Sequence, residues 1–235
     1  MKEPILTVKQ LNIEFHDQTL PERVLHDFNL DLYPGEIVGL VGASGSGKTI
    51  CGLAIAGLLN RKDMQKSGKI LYGGHNLLFC SRDILRRFQG KEIGIIFQEP
   101  MSALNPVKKI GWQVEEGLML HTDLSRDERY ERVISMLRGV ELNNPERVYR
   151  QYPHELSGGM RQRVLIAMAM ICEPQILIAD EITTALDTHT QTQIVKLIKR
   201  INAERQTAII FISHDAELIE TVCNRHIVMP DIYEA

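Results

Sequence analysis

An eight-residue glycine-rich string constrains the fold of this 235-residue chain more than any other feature. Residues 42–49 are G-A-S-G-S-G-K-T and match the pattern G-x-x-x-x-G-K-[ST]. An apolar run, residues 37–41, comes directly before the string, and a helical pattern begins at Lys48. A strand before such a loop and a helix N-terminus after it direct successive backbone amides at one anion. The string therefore predicts a strand, a phosphate-binding loop and a helix, in that order.

The residue types in the loop suit a nucleotide. Glycines let the backbone curl around phosphate oxygens, Lys48 can bridge the β- and γ-phosphates, and the Thr49 hydroxyl can ligate Mg²⁺. Chance alone gives such a string in about one chain in a hundred of this length. The predicted nucleotide contacts are Gly42, Ser44, Gly45, Ser46, Gly47, Lys48 and Thr49. By itself, the motif predicts a P-loop nucleotide-binding protein.

Short apolar runs alternate with longer helical patterns. Residues 36–41, 175–179 and 207–212 are nearly continuous apolar runs, as in strands buried on both faces of a parallel sheet. The predicted strands are 6–8, 28–32, 36–41, 69–72, 93–97, 175–179, 207–212 and 226–229. The predicted helices are 48–59, 107–120, 125–138 (with a capping box at Ser125 and Glu128), 158–171, 190–204 and 215–221. We expect one domain over residues 1–235, with an α/β core (1–99 and 171–235) and an inserted helical subdomain (100–170).

Two acids follow the apolar run 175–179. Asp180 and Glu181 stand at a strand end, where ligands bind in open α/β sheets. Asp180 suits a Mg²⁺ ligand, and Glu181 suits a base that positions the attacking water. An exposed acidic pair would be the ordinary explanation, but the phosphate loop in the same chain favours an ATP-hydrolysing site.

Composition and charge exclude several classes of function. The net charge of −3 argues against nucleic-acid binding through bulk positive charge. The longest apolar run, residues 164–172, is too short to cross a bilayer, and residues 1–4 lack the apolar core of a signal peptide. We therefore expect a cytosolic protein whose membrane role, if it has one, comes through a partner. The cysteines are far apart, which predicts packed thiols and not a zinc site: Cys51, Cys80, Cys172 and Cys223.

A third string lies upstream of the acid pair. Residues 156–163 are L-S-G-G-M-R-Q-R and precede an apolar helical pattern. An ordinary N-capped helix would explain Ser157 but not the whole string, in which Ser157 and the amides of Gly158 and Gly159 can bind an anion. The string resembles the signature of ABC ATPases. Together with the phosphate loop and the acid pair, this resemblance covers nearly the whole chain.

The resemblance implies a fold and further site residues. The fold is α/β: a P-loop NTPase (RecA-like) core with an inserted helical subdomain and an N-terminal antiparallel β part. Gln98 is similar to the glutamine that senses Mg²⁺ and water, and His214 to the switch histidine that binds the γ-phosphate. Asp187, in the string A-L-D at 185–187, is similar to the loop that crosses the dimer interface. Phe15 is the candidate aromatic that stacks on adenine, although core packing is about as common for such a ring.

The resemblance also implies cofactors and partners. Two ATPase subunits close head to tail around two MgATP, and Ser157, Gly158 and Gly159 of one subunit contact the γ-phosphate held by the other. The cofactors are ATP and Mg²⁺, and the implied Mg²⁺ ligands are Thr49, Gln98 and Asp180. The partners are a second ABC ATPase subunit, identical or homologous, two integral-membrane permease subunits and, indirectly, an extracytoplasmic substrate-binding protein, with no nucleic acid. The chain would lie peripherally at the cytoplasmic face of the cell membrane.

Two longer strings narrow the resemblance to one branch. Residues 97–106 (F-Q-E-P-M-S-A-L-N-P) and 152–160 (Y-P-H-E-L-S-G-G-M) resemble the bacterial importers of peptides, nickel and metal chelates. The segment after Gln98 lies where such ATPases receive a coupling helix from the membrane subunit. Met101 and Trp112 are then candidate contacts, with core packing as the ordinary alternative. Peptide, nickel, metal-chelate and opine cargo stay open.

The chain departs from the family pattern in three places. Met160 replaces the general signature glutamine, as in this branch. Ile182 stands where proline is usual, which frees one backbone angle beside Glu181, with a modest expected effect. Many relatives continue past the position of Ala235; here that segment is either absent or trimmed, so this sequence gives no basis for regulation through it.

Other functions fit part of the pattern. A soluble ABC ATPase outside transport, above all one of the Fe–S assembly type, has the same layout, and only the string 97–106 speaks against it. Ribosome factors usually carry two ATPase domains and repair ATPases a long heptad insertion, neither of which this sequence has. A non-catalytic nucleotide sensor is disfavoured because Lys48, Asp180, Glu181 and His214 are all present. An exporter is disfavoured by the branch resemblance alone.

Overall fold

The structure, a computed structural model, describes residues 3–16, 21–59, 63–98, 103–184 and 186–230. The strands are β1 Leu6–His16, β2 Pro21–Leu32, β3 Ile37–Val41, β4 Met64–Tyr72, β5 His75–Asn76, β6 Ile93–Ile96, β7 Ile176–Asp180, β8 Ala208–Ser213 and β9 Arg225–Val228. The α-helices are α1 Lys48–Ile55, α2 Arg82–Phe88, α3 Ile110–His121, α4 Arg126–Gly139, α5 Pro145–Arg150, α6 Gly158–Met170, α7 Thr188–Arg205 and α8 Ala216–Val222. Short 3₁₀ helices lie at Leu77–Phe79 and Pro153–Glu155.

The strands form two sheets of different kinds. An antiparallel sheet has the order β2-β1-β4-β5, and a parallel sheet has the order β6-β7-β8-β3-β9. The predicted parallel sheet is confirmed, since its strand pairs are parallel and every residue of β7 and β8 is buried. The two strands that precede the phosphate loop and the acid pair, β3 and β7, both pair with β8. Their C-terminal ends therefore lie at the same edge of the sheet.

Side chains of the parallel sheet divide between two apolar clusters. On β8, Ile210 and Ile212 join the cluster that contains α1 and the antiparallel sheet, whereas Ile209 and Phe211 join the cluster that contains α3, α4, α6, α7 and α8. This division follows from the two-residue period of a strand. The sheet is thus covered on both faces, as its nearly continuous apolar sequence predicts.

Several predicted boundaries were wrong for identifiable reasons. Strand 6–8 continues to His16, because the pairing register shifts between Val8 and Leu11 and breaks the period-two pattern. The helix predicted over 48–59 ends at Ile55, soon before Gly57, whose φ of +67° favours a helix end. The helices α2 and α5 were missed, because segments this short carry little periodic signal. The Ser125–Glu128 capping box is confirmed.

Between residues 103 and 170 the structure describes helices and no strand. These helices share one apolar cluster with the sheet, so the subdomain division drawn from the sequence stays a prediction. Among the described residues, no helix has the length and apolar character that crossing a bilayer requires. Met101 of the predicted coupling contact and Ala185 of the A-L-D string lie outside the described residues.

Candidate functional site

The loop between β3 and α1 is closed around the amino group of its own lysine. Lys48 Nζ donates to the carbonyl oxygens of Gly42 at 2.8 Å and Ala43 at 2.6 Å, and to Ser46 Oγ at 3.3 Å. Burial lowers the pKa of Lys48, and the nearby charges of two carboxylates oppose that shift. The lysine thus lies inside the loop, where it can exchange these acceptors for phosphate oxygens.

A close approach explains one glycine of the loop. Gly47 has φ +85°, and a Cβ there would lie 2.4 Å from the carbonyl oxygen of Val24. An L-residue would be strained twice, by its backbone and by this contact. Strand β2 therefore packs against the loop and fixes its path into α1.

Asp180 ends β7 beside the first helical turn of α1. Its Oδ1 accepts a hydrogen bond from Thr49 Oγ1 at 3.2 Å, and the residue is 4% exposed. Burial raises the pKa of Asp180, the Thr49 hydrogen bond lowers it, and the adjacent Glu181 raises it. A hydroxyl and a carboxylate, two hard oxygen donors, thus meet at the edge of the phosphate loop.

The raised pKa of Asp180 predicts a gain in stability on neutralisation. Because the folded-state pKa lies above the ordinary value, the folded chain holds the proton more tightly than the unfolded chain, and the carboxylate destabilises the fold as pH rises through that pKa. Without nucleotide or metal, Asp180→Asn should therefore melt at a higher temperature near neutral pH. The difference should shrink as the pH is lowered toward the ordinary pKa of aspartate.

Thermal melts over this pH range check the expectation. Asp83→Asn is the matched control, because Asp83 is 89% exposed and only pairs with Arg86 at 3.8 Å. A lower melting temperature of Asp180→Asn near neutral pH would contradict the expectation. A pH-dependent gain of equal size in Asp83→Asn would show that the effect does not come from burial.

Three side chains converge on the carboxylate of Glu181. Its Oε2 accepts from Gln98 Nε2 at 2.8 Å and from Thr184 Oγ1 at 3.2 Å, and its Oε1 lies 3.4 Å from His214 Nδ1. Gln98 and His214 come from segments far apart in the sequence, and their meeting agrees with the order of the predicted motifs. Thr184 was not predicted; its position three residues after Glu181, in a turn, was the available signal.

The backbone at Glu181 is strained. Its φ is +47°, although it is not glycine, while its N–H donates to the carbonyl oxygen of Ile212 on β8 at 3.0 Å. Such a conformation costs about 1 kcal/mol or more and persists where the surroundings enforce it. Ile182 is buried in an apolar cluster and anchors the chain just after the strained residue.

Residues 157–159 lie with Asp187 in a second group. Ser157 caps α6 by accepting from the Met160 N–H at 3.3 Å, and Asp187 caps α7 by accepting from Thr190 N and Oγ1 at 3.0 and 2.7 Å. The hydrogen bonds from Thr190 lower the pKa of Asp187. A groove of about 430 Å³ lies between these helix ends and is lined by both motifs.

The two groups are separate within the described residues. No hydrogen bond or ion pair recorded there joins residues 157–159 to Lys48, Asp180 or Glu181. Ser157 and Gly158 are exposed, and a Cβ at Gly158 would meet nothing within 4 Å. This half of the predicted site therefore has an open face.

Phe15 lies in β1 and is 7% exposed. It belongs to the apolar cluster between the two sheets. Little of its ring is left for an adenine base, so the geometry favours core packing, and the stacking role stays a prediction.

Among the described residues near Gln98, three apolar side chains are exposed: Phe97, Val107 and Trp112. Lys108 Nζ lies over the Trp112 ring, 4.4 Å from its centroid.

A phosphate loop on a parallel sheet, with an acid pair at the same sheet edge, defines a P-loop ATP-binding protein. The family model described as ABC transporter matches residues 25–184. The chain belongs to the ATP-binding subunits of the ABC transporter family, and as such it binds ATP and is an ATPase.

Individual relatives agree with this assignment. A probable peptide ABC transporter ATP-binding protein of Sinorhizobium fredii is 42% identical over 96% of this chain and 68% of its own length. The oligopeptide transport ATP-binding protein OppD of Escherichia coli is 40% identical over 97% of this chain and 67% of its own length. A solved dimer of the ATP-binding cassette MJ0796, in a post-hydrolysis state with ADP and Pi, aligns with a TM-score of 0.84 at 28% identity, covering 95% of this chain and 94% of that one.

Proposed function

We propose that this chain is the ATP-hydrolysing subunit of a bacterial ABC importer and powers uptake of peptides through partner membrane subunits. The observation that carries the hydrolytic part is the convergence of Gln98, Thr184 and His214 on Glu181 beside the phosphate loop. The names of the relatives support peptide cargo over nickel or metal chelates. The strings 97–106 and 152–160 support the same branch.

Each side chain then has a task in hydrolysis. Lys48 leaves the loop carbonyls and binds phosphate oxygens, which neutralises charge on the nucleotide. Glu181 accepts a hydrogen bond from the attacking water and orients it toward the γ-phosphate. Gln98 and His214, both within hydrogen-bonding reach of Glu181, position that water and the γ-phosphate. The strained backbone at Glu181 holds its carboxylate toward the loop.

Thr49 and Asp180 suit Mg²⁺. Their oxygens lie 3.2 Å apart, and Mg²⁺ in nucleotide sites takes one or two protein oxygens and completes its shell with phosphates and water. Gln98 is the third predicted Mg²⁺ ligand, and its side chain donates a hydrogen bond to Glu181, the residue next to Asp180. When bound, the ion neutralises charge on the phosphate oxygens.

The separation of the two residue groups supports a site shared by two subunits. The exposed Ser157 and Gly158 would meet the γ-phosphate bound to a second subunit, at a helix N-terminus that favours anions. Asp187 would lie at the interface between the subunits. The dimeric cassettes among the structural neighbours support this arrangement. The second subunit is either a copy of this chain or a homologue.

Membrane partners would bind next to the hydrolytic site. Phe97, Val107 and Trp112 are exposed close to Gln98 in the sequence, and Val107 is 76% exposed. Such apolar side chains suit a protein interface, which here would be the two permease subunits at the cytoplasmic face of the cell membrane. Movement at Gln98 on nucleotide binding would then reach the permease directly.

Affinity purification of this chain from gently solubilised membranes tests the proposal. Two integral-membrane subunits and an ABC ATPase partner should accompany it. The substrate-binding protein that works with those subunits would then identify the cargo. Recovery with soluble Fe–S, DNA or ribosomal proteins alone would refute the importer role and leave the ATPase assignment intact.

A further inference from the structure

A carboxylate just after α4 holds an unusual backbone conformation. Glu141 has φ +60°, and its N–H donates to the Arg138 carbonyl oxygen at 2.9 Å at the helix end. The left-handed region is unfavourable for a residue other than glycine, whereas glycine adopts it freely. Interactions of the Glu141 side chain can offset this cost.

The two oxygens of this carboxylate bind arginines from two different helices. Oε2 accepts from Arg163 of α6 at 2.8 Å, and Oε1 accepts from Arg200 of α7 at 2.8 Å. Each arginine also donates to a backbone carbonyl near the end of α4, Arg163 to Val140 and Arg200 to Gly139. The hydrogen bond from Arg163 is the main cause of a lowered pKa of Glu141, so the carboxylate is charged near neutral pH.

The same arginine joins α6 to α7 directly. The Arg163 side chain is 10% exposed and donates to Gln193 Oε1 of α7 at 3.0 Å. One turn earlier in α6, a Cβ at Gly159 would lie 2.8 Å from the Thr190 methyl group. Gln193 and Arg200 are seven residues apart and so share one face of α7. The two helices are therefore in contact from their N-terminal ends to the Glu141 carboxylate.

We propose that Glu141 is a positioning residue for ATP hydrolysis. By binding Arg163 and Arg200 together, it fixes α6 against α7. Residues 157–159 begin α6 and Asp187 caps α7, so the carboxylate fixes the distance between these motifs. The inference rests on the proposed function, in which residues 157–159 meet nucleotide bound to a second subunit. Glu141 itself touches no nucleotide in that arrangement and acts through the two arginines.

Steady-state hydrolysis by Glu141→Gln tests the proposal. Because the Glu141 side chain is 47% exposed and water screens part of each charge-assisted hydrogen bond, we expect kcat to fall about tenfold, which corresponds to about 1.4 kcal/mol. ATP binding to the isolated subunit should stay unchanged, because the phosphate loop makes none of these contacts. Glu146→Gln is the matched control: it removes one charge from the neighbouring α5, where Glu146 pairs only with the exposed Arg138 at 3.4 Å. This control should keep the parental kcat.

Two further variants separate positioning from folding. Glu141→Gly relieves the backbone strain, so it should melt no lower than Glu141→Gln and still lose the same activity. Arg200→Gln breaks the contact from α7, and combining it with Glu141→Gln should cost no more than the worse single change. Parental kcat in Glu141→Gly or Arg200→Gln, or fully additive losses in the double variant, would overturn the proposal.

A dimerisation assay separates failure of this proposal from failure of the proposed function. In the Glu181→Gln background, ATP should drive dimer formation, and adding Glu141→Gln should raise the required ATP concentration about tenfold. An unchanged ATP requirement refutes the positioning role alone. If the Glu181→Gln protein forms no ATP-dependent dimer by itself or with its co-purified ATPase partner, the proposed two-subunit function is refuted.

Discussion

Glu181→Gln should bind MgATP as the parent does and lose at least about a hundredfold in turnover, the lower end of what a general base contributes. Glutamine keeps the size of the side chain and can still contact Gln98 and Thr184, so the fold and the phosphate loop should be unaffected. What it removes is the negative charge that would accept a proton from the attacking water. Phosphate release under saturating ATP measures turnover, and equilibrium binding of a fluorescent ATP analogue measures affinity.

Glu217→Gln is the control for this substitution. Glu217 is an exposed residue of α8, close in sequence to His214, and its replacement removes the same charge. It should hydrolyse ATP at the parental rate. If Glu181→Gln also hydrolysed at that rate, Glu181 would not be the base. If it lost binding together with turnover, its role would be in holding the nucleotide.

Lys48→Ala should lose about a hundredfold or more in affinity for ATP, since two charge-assisted hydrogen bonds to phosphate together contribute about 3 kcal/mol. The buried ammonium donates to three groups of its own loop, so it is already placed where phosphates would bind. Burial lowers its pKa, because the charged ammonium has already lost part of its solvation before any nucleotide binds. The variant should therefore fold with little loss of stability.

Calorimetric titration of each purified variant with ATP measures the affinity and checks this expectation. Lys69→Ala removes an equal charge from an exposed position of β4 and should bind like the parent. Parental affinity in Lys48→Ala would move the phosphate site away from the loop. An equal loss in Lys69→Ala would indicate that net charge, not the loop, governs binding.

Buried elements could be predicted from the sequence, and bulged, short or strained ones could not. The strands β3, β7 and β8 were predicted to within a residue or two, because burial on both faces gives an apolar run without alternation. Most of β1 was missed, because a register shift after Val8 interrupts its alternation. The helix α2 is only seven residues long, and its apolar residues Leu85 and Phe88 are partly buried, which is too short a run to show a helical period.

The same contrast holds at the candidate site. Gln98 and His214 were assigned to the site by the family resemblance, and in the structure both lie at strand ends of one parallel sheet and contact the Glu181 carboxylate. Thr184 and Glu141 belong to no motif; each is recognised only by what its side chain contacts in the folded chain. Phe15 was chosen by residue type, which does not separate a stacking ring from a packed one, and its burial is a property of the whole sheet.

The alternation of side chains along β8 has a consequence for how this chain unfolds. Ile210 belongs to one apolar cluster and Phe211 to the other, so the central strand β8 contributes side chains to both clusters. Neither cluster can unfold without exposing one face of the parallel sheet to water, and the free-energy cost rises with the apolar area exposed. We therefore expect the two apolar clusters to unfold together, in one cooperative transition.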